Sequence, residues 1–210
     1  MEQTVLQRER ELTFDDLDIK AHYKVFRCKR NDVKEFIERW HYSQSINGLR
    51  TSYCFKLMYD FEMIGAALFG KLGMANNWKK YGENEGDVLE LHRLCLIDAA
   101  PKNSESYFIS RCLRWLRQHT DVNVVVSYAD ENYGHKGIIY KAANFTYLGE
   151  TAPSKMIRFN GKLYHDKAIR TKYNGKLKPF AQRLKDALDS GVAEYVDTKF
   201  KHCYIYKFTR

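Results

Sequence analysis

Apolar residues follow two periods along this chain, and together they predict an α/β fold. Alternation of period two, or a short β-branched run, predicts strands; these cover residues 22–29, 53–59, 63–69, 88–97, 122–128, 145–149, 156–159 and 201–208. Apolar residues at helical spacing predict helices over residues 33–40, 105–119, 137–143 and 180–188. Strands that alternate with helices in the middle of a chain favour a mixed sheet covered by helices.

The stretch 127–151 joins a buried strand to a concentrated set of titratable side chains. A β-branched run ends in Asp130, a glycine-bearing loop carries His135, and a short helix carries Tyr140. The carboxyl end of a strand is where open α/β sheets bind ligands, so a functional site is expected here. Two simpler roles stay open: Asp130 could cap the following turn, and Tyr140 could be a core residue with a locally satisfied hydroxyl.

Composition narrows the class of protein. The five cysteines are odd in number, scattered and without a C-x-x-C pair, which favours reduced thiols and argues against a zinc ribbon. The first sixteen residues are charged and contain no apolar signal region, and no apolar run approaches the roughly 18 residues of a membrane span. We therefore expect a cytoplasmic protein without a membrane partner.

Positive charge is concentrated near the C-terminus. The net charge of the chain is +9, and residues 155–185 contain ten Lys or Arg and one acid. A segregated basic face is typical of a nucleic-acid partner, although a merely solvated basic surface is the alternative. The candidate DNA contacts are Lys162, Lys167, Arg170, Lys172, Lys176 and Lys178. The predicted organisation is an N-terminal extension (1–21), a core (22–152), a basic insertion (153–200) and a final core strand (201–210).

The order of the elements matches the acetyltransferase-like (GNAT) fold, in which two central parallel strands splay apart around a ligand. The splayed strands would be 88–97 and 122–128. GNAT enzymes cradle the coenzyme A pyrophosphate with a glycine-rich turn at the following helix. Here that turn, 99–106, has no glycine, and it contains Pro101, which lacks an N–H, and Glu105, which would repel phosphate. The turn from Pro101 to Ser106 therefore disfavours acetyl-CoA as the cofactor.

Several short motifs together resemble the phage Mom family of DNA modification proteins, which is GNAT-like. They occur in order over roughly residues 25–152, and each is weak alone. The matching residues are Trp40-His41-Tyr42-Ser43, Glu90-Leu91-His92-Arg93-Leu94, Asn103 with Ser106, Ser127-Tyr128-Ala129-Asp130, Gly134-His135 with Gly137, and Ile139-Tyr140 with Ala142 and Asn144-Phe145.

This resemblance implies an enzyme that converts adenine in double-stranded DNA to an N6-carbamoylmethyl derivative, which blocks host restriction. It implies action in the bacterial host cytoplasm during phage infection and a dependence on iron. The candidate catalytic residues are Asp130, Tyr140, Arg93 and Ser106. An imidazole beside a carboxylate is two-thirds of a 2-His-1-carboxylate iron site, so His41, Tyr42, Asp130 and Tyr140 are the candidate ligands of Fe(II), with His92 and His135 as alternatives.

Other roles stay open at individual residues. Arg93 lies on a central strand and needs an anionic partner, either Asp130 or a cofactor, while Ser106 could be a helix cap. Glu90 and His92 are interpreted as structural or rim groups. An enzyme that acts on a paired adenine must flip and stack the base, so the aromatic loop residues Trp78, Tyr81 and Tyr133 are either stacking groups or loop anchors.

Two other functions compete with DNA modification. One is an ordinary GNAT acyl-CoA N-acyltransferase acting on a small amine, and the other is a DNA-binding protein without catalysis. The sequence leaves the group donor, the DNA sequence preference and the oligomeric state open, a homodimer included.

Overall fold

The computed structural model describes residues 22–74, 76–170 and 172–209. The predicted N-terminal extension lies outside the described residues. The chain divides into two compact units. Of the described residues, the first unit takes 22–128, 137–148 and 203–209, and the second takes 129–136 and 149–202.

The secondary-structure elements agree closely with the apolar pattern in the first 150 residues. The strands are β1 (Tyr23–Cys28), β2 (Thr51–Tyr59), β3 (Glu62–Gly70), β4 (Val88–Leu96), β5 (Val124–Asp130), β6 (Thr146–Glu150), β7 (Lys155–Phe159), β8 (Lys162–His165), β9 (Glu194–Asp197) and β10 (Lys201–Lys207). The helices are α1 (Lys34–Trp40), α2 (Ser104–His119), α3 (Ile138–Ala142) and α4 (Pro179–Asp189). No described helix is long and apolar enough to cross a membrane.

The first unit is built on a seven-stranded sheet of order β1-β2-β3-β4-β5-β10-β6. Strands β1 to β4 pair antiparallel, whereas β4 and β5 pair parallel over four steps, from Val88↔Val124 to Leu91↔Ser127. Strand β4 then continues to Leu96, and β5 continues to Asp130, without further pairing between them. The two central parallel strands therefore splay apart, as the GNAT-like fold predicts.

Helix α2 follows the splay and buries an apolar face. Its buried apolar residues follow the i, i+3, i+4 spacing of a helix that packs on a sheet; they are Phe108, Ile109, Cys112, Leu113 and Leu116. Among the described residues all five cysteines are free thiols. Burial raises the pKa of Cys28 to about 12 and that of Cys54 to about 11, so both stay protonated and serve packing.

The second unit has a core of its own. Strands β8, β7 and β9 form a three-stranded sheet, and α4 contributes Leu184 and Ala187 to a cluster with Ile157 and Ala193. The β7–β8 hairpin turns through two residues with positive φ, Asn160 (48°) and Gly161 (72°), which is the Asn-Gly signature of a type I′ turn. The basic insertion is thus a folded element, and β8 and β9 are strands that the apolar pattern did not predict.

Candidate functional site

A β-bulge lies at the point where β4 leaves β5. Leu68 of β3 pairs with Arg93, but the next residue, Phe69, pairs with Leu91, so His92 is the extra residue on β4. Bulges bend a strand and re-aim its side chains, and they are common beside active sites. In a regular strand the side chains of His92 and Arg93 would point to opposite faces of the sheet. The bulge removes this requirement.

Glu90 and His92 form a carboxylate–imidazole pair beside the bulge. His92 Nδ1 lies 3.4 Å from Glu90 Oε1, and the two side chains are 3% and 20% exposed. The other carboxylate oxygen, Oε2, accepts a hydrogen bond of 3.3 Å from the amide of Gly73. The interpretation of these two residues as structural or rim groups stays a prediction. Glu90 pairs with Val126 of β5, and His92 follows the last pair between β4 and β5.

The long 70–87 segment brings the Tyr81 hydroxyl near Glu90. Tyr81 Oη lies 3.3 Å from Tyr128 Oη and 3.7 Å from Cys203 Sγ. Trp78 and Tyr81 both pack against the buried cluster that contains Val88 and Cys203. This packing is that of a loop anchor, the second of the two roles open for Trp78 and Tyr81.

Arg93 fastens the segment after α1 to the middle of β4. Its Nε donates to the carbonyl of Ser45 (3.1 Å) and its Nη1 donates to the carbonyl of His92 (2.7 Å). Burial lowers the pKa of Arg93, and Tyr42 and Glu90 oppose that effect. Two backbone carbonyls hold this guanidinium, and Asp130 has Lys201 as its cation.

His41 and Tyr42, the first two candidate iron ligands, lie together. Their ring centroids are 4.1 Å apart. His41 is buried, and its Nδ1 contacts Ser43 through both the hydroxyl (2.9 Å) and the amide (3.1 Å). The amide contact makes Nδ1 an acceptor and leaves Nε2 as the nitrogen that carries the proton.

Tyr140 lies in the first unit, and its phenol is buried. Burial raises its pKa, and Ser127 partly offsets this. Its ring lies 5.4 Å from that of Tyr204. Gly137 precedes α3 at φ +71°, and a Cβ there would lie 2.2 Å from the Tyr204 ring, so the approach to α3 requires glycine.

Asp130 belongs to the second unit and is held by strong partners. Its Oδ2 lies 2.9 Å from Lys201 Nζ, and its Oδ1 accepts from the amide (3.0 Å) and the side chain (2.7 Å) of Asn132. Burial raises the pKa of Asp130, but these hydrogen bonds outweigh it and the pKa lies below its ordinary value. Asp130 is therefore an ionised carboxylate that also caps the turn at Glu131–Tyr133.

Ser106 lies in the first turn of α2, where GNAT enzymes bind pyrophosphate. Its hydroxyl donates to the carbonyl of Asn103 (3.0 Å). Asn103 takes the left-handed φ of 72°, which is the conformation a glycine would supply. Ser104 Oγ lies 2.9 Å from the hydroxyl of Tyr23. Ser106 thus braces the turn rather than capping α2.

The candidate iron ligands already contact other residues of the chain. Within the described residues no three His, Cys, Asp or Glu side chains form a group that could hold a metal ion. Asp130 would have to release Lys201 before it could bind a cation. Ser43 engages His41 Nδ1, and Lys201 and Asn132 engage Asp130. The structure therefore gives no geometry from which a step through iron can be derived.

The six candidate DNA contacts are all exposed in the second unit. Arg170 pairs with Asp166 at 2.7 Å. A tight turn at Asn174–Gly175 (φ 50° and 76°) pairs Tyr173 with Lys176, and Lys178 Nζ lies 4.1 Å from the Tyr173 ring centroid. The turn therefore presents an exposed aromatic ring among lysines, the combination that nucleic-acid surfaces use.

Comparison with protein families identifies the family of this chain. The model of the Mom protein family matches residues 22–210. The chain belongs to the Mom protein family. It is 30% identical over 139 residues to the methylcarbamoylase mom of Escherichia phage Mu, an alignment that covers 64% of this chain and 56% of the relative. The chain thus spans about half the length of that relative.

Solved structures similar to this Mom family member include acetyltransferases. The ribosomal-protein-S5-alanine acetyltransferase from Vibrio fischeri has a TM-score of 0.51 at 9% identity, and the match covers 89% of this chain and 93% of that one. The Bacillus subtilis acetyltransferase in complex with CoA has a TM-score of 0.50 at 9% identity, with 90% and 99% covered. At such identity the likeness shows the fold alone, which confirms the GNAT-like prediction.

Proposed function

We propose that this protein is a DNA-modifying enzyme that gives adenine in duplex DNA an N6-carbamoylmethyl-type substituent and so protects phage DNA from host restriction. The observation that carries the proposal is the Mom family match over residues 22–210. The relative in phage Mu, named as a methylcarbamoylase, supports the reaction class. The site of action would be the cytoplasm of the infected bacterial cell.

The exposed basic residues of the second unit support duplex DNA as the partner. Lys or Arg side chains that neutralise phosphates provide most of the sequence-independent affinity for DNA. Lys162, Lys167, Arg170, Lys172, Lys176 and Lys178 are exposed and would contact the backbone. The target base would still have to leave the stack, because an enzyme cannot reach a paired adenine inside the duplex.

Chemistry at adenine N6 needs groups that move protons, and the chain offers defined candidates. The amine lone pair is delocalised into the ring, so N6 is a weak nucleophile. Tyr140 keeps its proton, because burial raises its pKa, and it could donate that proton to a leaving group. Asp130 is held ionised and could stabilise developing positive charge. Arg93 and Ser106 would act by holding the loop 41–46 and the α2 turn.

The turn before α2 supports a group donor other than acetyl-CoA. Two of its amides already donate to backbone carbonyls, Ala100 to Ile97 and Ser104 to Pro101, and Pro101 has no N–H to offer. The dependence on Fe(II) stays a proposal from the resemblance alone. Iron analysis of purified wild type and His41→Ala tests it: iron in the first and not in the second is the expected result.

The deciding experiment is mass spectrometry of nucleosides from plasmid DNA of bacteria that express the wild type, Asp130→Ala or Tyr140→Phe. We expect an adenosine heavier by one carbamoylmethyl group in the wild type, and a strong reduction in both variants. Unmodified adenosine in wild-type cells that contain soluble protein would overturn the proposal. Tight binding of acetyl-CoA in calorimetry would then favour the small-amine N-acyltransferase, and salt-sensitive DNA affinity without either activity would favour a binding protein.

A further inference from the structure

The imidazole of His92 contains a buried nitrogen without a partner. Its side chain is 3% exposed, and among the described residues its Nε2 has no hydrogen-bond partner. Polar atoms that are buried are nearly always paired, so each exception calls for an explanation such as a missing ligand or a catalytic role.

A second unpartnered atom lies on β5, at the last pair before His92. Ser127 is fully buried, and its Oγ has no partner that meets hydrogen-bond geometry among the described residues, although it is near enough to Tyr140 to affect the pKa of that phenol. Ser127 pairs with Leu91, and that is the last parallel pair before β4 and β5 separate. His92 is the next residue on β4. Two orphaned polar atoms therefore flank the point where the splayed region opens.

Glu90 lies beside the other ring nitrogen of His92. One carboxylate oxygen faces His92 Nδ1 and the other is held by the Gly73 amide. A proton on Nδ1 would face this carboxylate and leave a lone pair on Nε2.

The groups around Glu90 are neutral, apart from Arg93. Tyr81 of the 70–87 segment, Tyr128 of β5, Tyr140 of α3 and Cys203 of β10 all interact with Glu90, and burial raises the pKa of each. They therefore stay protonated near neutral pH. Arg93 is held on two carbonyls, and the unpartnered His92 Nε2 beside the Glu90 carboxylate is what singles out this pair.

We propose that His92 Nε2, oriented by Glu90, is the base that takes the proton from the substrate amine, an inference that rests on the proposed adenine modification. The N6–H bond breaks and its proton goes to Nε2, while the nitrogen electron pair forms the bond to the donor carbon. The donor is an electrophile that carries a leaving group on that carbon, and the leaving group departs with the bonding pair. His92 is then a catalytic residue, and Glu90 is a positioning residue.

The test compares His92→Gln, His92→Ala and the control His22→Gln, an exposed histidine paired with Asp60. Clarified extract of the cells that express each variant supplies the group donor. Duplex DNA is added to the extract, and modified adenosine is measured over time. We expect both His92 variants to be about 100-fold slower or more, the His22 variant to equal the wild type, and added imidazole to restore part of the rate in His92→Ala only. The modification rate of Glu90→Gln should fall less, by about 10-fold. The rate of Glu90→Asp should lie between those of Glu90→Gln and the wild type.

The thermal unfolding midpoint and the DNA affinity serve as controls for correct folding. We expect both to be unchanged in His92→Gln. A wild-type rate in folded His92→Gln would overturn the proposal, and so would a loss in His92→Ala that imidazole does not relieve. A wild-type protein that leaves adenine unmodified would instead refute the proposed function itself, so the two failures are distinguishable.

Discussion

Lys201 Nζ lies 2.9 Å from Asp130 Oδ2, and this ion pair sets the charge of the carboxylate for which a catalytic role is proposed. Asp130 is 10% exposed at its side chain, whereas Lys201 is 46% exposed. The partly solvated lysine compensates a buried carboxylate, which would otherwise be costly to keep ionised.

The pair predicts a pH-dependent contribution to stability. The folded pKa of Asp130 lies below its ordinary value of 3.8, so the stabilisation is fully present above that value and is lost as the pH falls through the folded pKa. We expect Lys201→Met to lower the free energy of unfolding by about 1–3 kcal/mol at pH 7, with a smaller difference from wild type in strong acid. Urea titrations at a series of pH values measure this, and a pH-independent difference would contradict it.

Gly137 and Gly134 form a matched pair for testing close packing at α3. Both have a left-handed φ, +71° and +70°, but a Cβ at Gly137 would meet the Tyr204 ring at 2.2 Å while one at Gly134 would meet nothing within 4 Å. We expect Gly134→Ala to cost about 1 kcal/mol from backbone strain and Gly137→Ala to cost about 1–3 kcal/mol more from overpacking. Thermal unfolding of both variants compares them, and equal losses would show that the Tyr204 contact is unimportant.

The sequence predicts the first unit well because most of its strands contain several buried apolar residues. Strands β4 and β5 show a period-two pattern or a β-branched run, and their order in the chain implies the splay. Strands β8 and β9 were missed since each has four residues and no buried position, so neither leaves an apolar pattern. Only Asn160-Gly161 signals the first of them.

The bulge beside Glu90 and His92 cannot be predicted for a different reason. Alternation along β4 is visible in the sequence, but a bulge depends on how β4 pairs with β3, and no residue type marks it. The partners of Asp130 and Arg93 were equally hidden, because Lys201 and the carbonyl of Ser45 are far away in sequence and carry no motif.

Tyr81→Phe separates a loop anchor from a base-stacking residue. The variant keeps the aromatic ring and removes the hydroxyl that lies 3.3 Å from Tyr128 Oη. If Tyr81 anchors the 70–87 segment, the free energy of unfolding should fall by about 0.5–1.5 kcal/mol. Chemical denaturation measures this change, with the exposed Tyr133→Phe as the control. Unchanged stability, together with a loss of adenine modification in Tyr81→Ala alone, would favour stacking.

Arg93→Lys tests the attachment of the loop 41–46 to β4. Lysine keeps the charge but lacks the planar fork that reaches the carbonyls of Ser45 and His92 together. We expect amide hydrogen exchange in residues 43–49 to become about tenfold faster, which corresponds to about 1.4 kcal/mol. The exposed Arg27→Lys is the control, and unaltered exchange in Arg93→Lys would contradict the attachment.

The basic turn of the second unit makes a quantitative prediction about DNA affinity. Each phosphate contact steepens the decline of log K with log salt concentration by about 0.9. Replacing Lys172, Lys176 and Lys178 by glutamine should therefore reduce the magnitude of the slope by up to about 3, on duplexes of any sequence. Arg158→Gln is the matched control, because Arg158 is exposed but already pairs with Glu194 at 2.8 Å. Fluorescence anisotropy at several salt concentrations gives both slopes, and an unchanged slope in the triple variant would place the DNA surface elsewhere.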